Sequence, residues 1–164
     1  MSAWQLAQLN IAALKAPLDS PELKDFVDNL DRINALAEAS EGFAWRLKGD
    51  GNDATSLRPL GENVIVNMSV WRDVAALKGY VYQSAHVQIM RRRREWFTRM
   101  ADAYLVLWWV PVGHHPTIAE AVARLEQLRK HGPSPEAFTF GEAFAAPDAA
   151  QPGGKFSFRD ACPA

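Results

Sequence analysis

Apolar and polar positions alternate along some stretches of this chain and recur every three or four residues along others, so strands and helices can be read from the pattern. Residues 3–14, AWQLAQLNIAAL, predict a first strand with Leu9, Ile11 and Ala13 on one face and Leu6, Gln8, Asn10 and Ala12 on the other. Both faces are largely apolar, so both need cover. Pro17 ends the strand. Ser20-Pro21-Glu22 then predicts a helix start: a hydroxyl N-cap, proline at the first position, and an acid near the positive dipole end. Leu23, Phe26, Val27, Leu30, Ile33 and Ala37 give that helix one apolar face, and Gly42 closes it. Phe43, Trp45 and Leu47 alternate with Ala44, Arg46 and Lys48 as a half-exposed second strand. A polar loop opening with Gly49-Asp50-Gly51-Asn52-Asp53 follows and runs to about Glu62.

Residues 64–97 organise the rest. In the third strand Val64, Val66, Met68 and Val70 share one face; Ile65, Asn67, Ser69 and Trp71 share the other. A helix runs from roughly Asp73 to Tyr82, and the chain restarts at Ser84 as a second helix reaching Phe97. At about 100° per residue, His86, Ile89, Met90, Arg93, Trp96 and Phe97 fall in one stripe. Arg91, Arg92 and Glu95 point away and Arg94 sits at the border, so the arginine run is not one basic patch. Arg93 is drawn inward, where its permanent charge needs a carboxylate of the protein, of another subunit, or of a ligand. Tyr104 to Val110 is a fourth strand, with Tyr104, Val106, Trp108 and Val110 opposite Leu105, Leu107 and Trp109. Thr117-Ile118-Ala119-Glu120 is a capping box, opening a helix that carries Ile118, Val122, Leu125 and Leu128 and stops at Gly132-Pro133. Phe138-Thr139-Phe140 reads as a short edge strand, and from about Ala145 the composition predicts a mobile tail.

This order predicts an α+β, ferredoxin-like fold: a four-stranded antiparallel sheet with helices on one face, in one domain over residues 1–144, with 145–164 as the tail. The second apolar face of the sheet is then bare. Burial against an identical subunit is the expected solution, giving a homodimer.

Composition narrows the partners. A chain of 164 residues can bury a real core, and a net charge of −1 gives no whole-protein pull toward nucleic acid or an anionic membrane. The longest apolar run, Tyr104 to Val110, is far short of the roughly 20 residues of a membrane helix. The opening MSAWQLAQLN lacks the basic lead and apolar run of a signal peptide, and the single cysteine, Cys162, forms no internal disulfide. The expected location is cytoplasmic. Six tryptophans and eight phenylalanines either pack a core and subunit contact or line a pocket.

The string Ser69-Val70-Trp71, then Ala76-Leu77, then Tyr82-Gln83-Ser84-Ala85-His86 resembles the pattern of the dimeric α/β-barrel superfamily, which includes antibiotic-biosynthesis-type monooxygenases, haem-degrading enzymes and stress-responsive barrels. With LAQLNIAAL, SPELKDF, LDRINALAEAS, the arginine run with Trp96-Phe97, LVLWWVP and GPSPEAFTF, residues 4 to 144 look like an uncharacterised family of that superfamily. The resemblance implies a barrel of two sheets, one per subunit, with helices outside and a pocket between sheet and helices. Asn10, Trp71, His86, Arg93, Trp108 and His114 are the residues expected to reach it. The haem-degrading relatives use an Asn, a Trp and a His. Asn10 matches the first; the other positions fall on Tyr80 and near Arg91.

Two function classes follow. One is a small hydrophobic or aromatic molecule-binding dimer acting as a cofactor-independent monooxygenase-type enzyme, with His86 as acid/base. The other is a non-catalytic ligand-binding or stress-response dimer. No cofactor is expected, with haem or a metal through His86, His114 and His115 left open. The chain has no GxGxxG, Walker or GxSxG sequence.

Overall fold

Alternation along residues 4–14 makes β1 (Trp4–Leu14), the strand at the centre of an antiparallel sheet. The structure, a computed structural model, describes residues 2–149. A short 3-10 turn (Pro21–Leu23) leads into α1 (Lys24–Ala39), β2 (Phe43–Arg46) and β3 (Val64–Trp71). Then come α2 (Val74–Val81), α3 (Ser84–Arg91), the single turn α4 (Arg93–Trp96) and the two-residue β4 (Phe97–Thr98). β5 (Leu105–Pro111) and α5 (Ile118–His131) complete the chain of elements. β1 pairs with β3 on one side, Leu6 opposite Trp71 and Asn10 opposite Asn67. Its other edge is shared by β5, along Trp4 to Asn10, and β4, at Ala13 and Leu14. With β2 outside β3, the spatial order β2-β3-β1-β5 and the βαββαβ connections are ferredoxin-like, as expected.

Local departures have local causes. The Ser20 hydroxyl donates to the Pro17 carbonyl (2.5 Å) instead of capping the turn, and Val27 is exposed rather than on the inner face of α1. Gly42 ends α1 region at φ +83°, and a Cβ there would come within 2.5 Å of the Ala76 Cβ, so only glycine lets the chain pass α2. The expected single face of Phe43, Trp45 and Leu47 is broken by a bulge: Phe43 lies opposite Trp71 and Trp45 opposite Val70. Phe43 and Arg46 therefore face α1, and Trp45 and Leu47 face the other way. The helix predicted over 84–97 breaks at Arg92, yet the phase of its stripe survives the break. Phe138 makes only a bridge to Leu107, through two backbone bonds of 2.8 Å.

The larger difference concerns the second face. α5 lies across it, packing Ala121, Leu125 and Leu128 on Leu9, Met68, Val106 and Trp108, while Ala54 and Leu57 fill in from the polar loop. Leu9, Ile11, Val66 and Met68 are all buried within one chain. Helices thus cover both faces, and the inference from a bare face to a second copy loses its premise. The stripe on α5 shows that the helix has an apolar side, but not which side of the sheet receives it. At the end of the described chain, Asp148 accepts from the Ser2 hydroxyl and the Ala3 amide, both at 2.8 Å. The remainder of the expected tail, with Cys162, lies outside the described residues. Among the described residues no helix is long and apolar enough to cross a membrane.

Candidate functional site

On the α1 side, β1 and β3 carry a run of polar side chains: Gln8, Asn10, Asn67 and Ser69. Gln8 Nε2 donates to Asn67 Oδ1 (2.7 Å) and Ser69 Oγ (2.8 Å), and the buried Trp71 indole donates to the same hydroxyl (2.8 Å). That network satisfies the buried members of the set. Asn10, one step along β1, has no such bond among the described residues, and neither does Asn34, buried on α1. Both line a cavity of about 220 Å³ between this face and the helices. Phe26, Leu30 and Ile33 of α1 form one wall; Ile89, Met90, Arg93 and Trp96, with His86, form the other.

One end of the cavity is aromatic and holds the imidazole. Trp71 stacks on Tyr80, with ring centroids 5.1 Å apart, and Tyr80 tilts against His86 at 4.9 Å. Burial pushes the Tyr80 hydroxyl well above the usual tyrosine range, so it stays protonated; it lies 3.3 Å from the Ile33 carbonyl. His86 Nδ1 is 2.8 Å from the Val81 carbonyl oxygen. A carbonyl only accepts, so Nδ1 carries the proton and the neutral ring keeps its lone pair on Nε2. Burial lowers the His86 pKa below 6.5, the Val81 bond opposing it, and the ring is neutral at pH 7. At the other end Phe26 packs on Trp96 (5.5 Å) and edge-on to Phe97 (5.1 Å), beside Arg93. The rim is tied by Arg46, which donates from Nε to Glu38 (2.7 Å), from Nη2 to Asn52 Oδ1 (2.8 Å) and from Nη1 to the Asn52 carbonyl.

Of the residues expected to meet, Asn10, Trp71, His86 and Arg93 do so here. Trp108 and His114 do not. Alternation along β5 sends Trp108 under α5, where its indole donates to Glu120 Oε2 (3.0 Å). His114, in the exposed turn after β5, bonds Glu120 Oε1 at 2.7 Å, and His115 stacks on Trp45. Thr117 accepts from the Glu120 amide as the capping box requires, but the Glu120 carboxylate turns to those two partners. Among the described residues no three His, Cys, Asp or Glu side chains form a group that could hold a metal. Tyr80 lines the cavity while Arg91 is exposed outside it, so the Asn, Trp, His pattern of the haem-degrading enzymes is not assembled.

Residues 5–154 match the family described as "Domain of unknown function (DUF3291)". The chain belongs to the DUF3291 family. None of the curated proteins matches it. Several solved structures resemble it at low identity. A conserved protein from Methanosarcina mazei is 9% identical, with a TM-score of 0.48 over 66% of this chain and 93% of that one. SnoaB, a cofactor-independent oxygenase from Streptomyces nogalater, is 17% identical, with a TM-score of 0.40 over 71% of this chain and 98% of that one. A dabb family protein with a ferredoxin-like fold from Mesorhizobium loti is 19% identical, with a TM-score of 0.41 over 66% of this chain and 99% of that one. In the DUF3291 chain the sequence reading passed over Gln8, Asn34, Asn67, Ser69 and Tyr80 as site residues. The signal for three of them was present, since polar side chains at every second position of two apolar strands share one face.

Proposed function

We propose that this DUF3291 protein binds a small, largely aromatic molecule in the cleft between α1, α3 and the sheet. The observation that carries this reading is an apolar-walled cavity into which Asn10 and Asn34 bring amides with no partner among the described residues. Neither amide is sealed from the cavity space, so a ligand that bonds them gains affinity and orientation. A cavity of about 220 Å³ falls below the roughly 300–1,000 Å³ of drug-sized sites, which suits one or two rings. Its lining comes from a single chain, so the reading applies to one copy or to a homodimer; sedimentation at rising concentration separates the two.

The test is calorimetric titration with 1-naphthol. Saturable binding is expected, and Ala12→Phe, which fills the floor of the cleft, should abolish it while leaving the circular dichroism spectrum unchanged. Undiminished binding to the filled variant would move the site elsewhere.

A second reading, catalysis of the cofactor-independent monooxygenase type, is favoured by His86, whose neutral ring presents a basic Nε2 beside the aromatic wall. There His86 takes a proton from an acidic group of the bound ring, and dioxygen is the co-substrate. An oxygen electrode with a dihydroxynaphthalene is the check. Uptake that His86→Gln does not reduce would remove the base from the mechanism.

A further inference from the structure

We infer that the occupant of the cleft carries an anionic group and that Arg93 anchors it; this rests on the binding reading above and names the chemical class of the ligand. Arg93 lines the cavity and is half-buried. The carboxylates nearest the arginine run are already engaged: Arg92 binds Asp25 at 2.8 Å and Glu95 at 2.6 Å. Among the described residues Arg93 has no carboxylate within ion-pair distance. Its guanidinium carbon lies 5.1 Å from the centroid of the Tyr104 ring instead.

That stacking decides what is left for a ligand. A guanidinium over an aromatic ring uses one of its faces, whereas its N–H donors point outward in its own plane. No N–H of Arg93 has an acceptor among the described residues, and the group cannot shed its charge. The other charged groups around the cavity are accounted for. Arg46 is neutralised by Glu38, and His86 is neutral. Asp53 holds the Thr55 amide (2.9 Å) and hydroxyl (2.5 Å) on the rim beside β2, across the sheet from Arg93. Among the described residues the cleft thus carries two charges without an ion-pair partner, Asp53 at the β2 edge and Arg93 at the α4 end, and only Arg93 can attract an anion. His86 on α3 and Arg93 at the start of α4 both line the cavity, so a fused-ring carboxylate can lie with its acid at Arg93 and its ring toward Tyr80.

The experiment compares 1-naphthoate with neutral 1-naphthylmethanol by calorimetry, using the wild-type chain, Arg93→Met, Arg93→Lys and Arg91→Gln. Charge-assisted hydrogen bonds should give the wild type about a ten- to hundredfold preference for the acid. Arg93→Met, which keeps the aliphatic volume, should lose that preference and still bind the alcohol. Arg93→Lys should keep part of it, and Arg91→Gln all of it. Equal binding of acid and alcohol by the wild type would overturn the anion assignment and leave the cleft standing. The same holds for a preference that survives Arg93→Met, or one that Arg91→Gln removes equally. If neither compound binds, the cleft reading itself fails, and the anchor with it.

Discussion

On the α5 side of the sheet Leu9, Met68, Val106 and Trp108 are closed in by hydrocarbon, while on the α1 side the same strands interrupt their apolar set with Gln8, Asn10, Asn67 and Ser69. A face of pure hydrocarbon can be sealed by any helix with a matching stripe, and α5 does so. A face dotted with amides and a hydroxyl must find a bond for each group or keep the group wet. Ser69 and Gln8 found partners; Asn10 did not, and the helices above it stand off from the sheet. One side of the sheet stabilises the fold, and the other side holds the space.

The contrast is broken most severely at Trp108. Trp108→Ala should cost about 3–5 kcal/mol by urea denaturation, since a fully buried indole and its bond to Glu120 are both lost. A loss comparable to that of an exposed residue would mean that the α5 face is not sealed. Ser69→Ala, on the open side, removes the acceptor shared by Gln8 and Trp71 and should cost about 1–3 kcal/mol in the same assay. His86 sets a smaller, pH-dependent difference. Its folded pKa lies below 6.5, so below that pH the unfolded chain takes up a proton that the folded chain resists. Stability should therefore decline as pH falls from about 6.5 through the folded value, and His86→Gln should flatten that acid limb of the melting-temperature profile. Parallel profiles for the two proteins would show that the imidazole is not shielded. Asn10→Leu should move the unfolding free energy by less than about 0.5 kcal/mol, because no bond is lost, yet weaken 1-naphthol binding. A large destabilisation would place Asn10 among the structural amides.

Much of this division could be read from the sequence. The bounds of β3, the assignment of Asn67 and Ser69 to the face shared with Trp71, and the stripe from His86 to Phe97 depend on a period, and a period survives folding. The same periods put Asn10 and Trp71 on the strand faces, and His86 and Arg93 on the helix stripe, that border the cavity. The expectation that they meet in one pocket comes from the family resemblance. Trp108, expected at the pocket from the resemblance, lies under α5 instead: alternation tells which residues share a face without telling which helix will cover it. Arg46 points into the cleft because the bulge at Ala44 shifts the phase by one residue, and nothing in Phe43-Ala44-Trp45-Arg46 announces the extra position. Asn34 was hidden for a different reason: one amide among Leu30, Ile33 and Ala37 does not disturb a helical stripe.

The Arg46 tether has a bearing on how anything could enter. It ties the loop after β2 to Glu38 on α1 through a side chain that is itself 7% exposed, and Asn52 extends the tie to Asp31. Widening the portal on that flank would strand a guanidinium in a dry environment, a heavy penalty for a transient event. The opposite flank, with its helix interrupted at Arg92, is tied to α1 by Arg92 and Asp25 at 2.8 Å, but both of those side chains are exposed, so the pair is screened by water. Parting that exposed pair costs far less than parting the buried Arg46 tie, so the α3 flank is the cheaper way into the cleft.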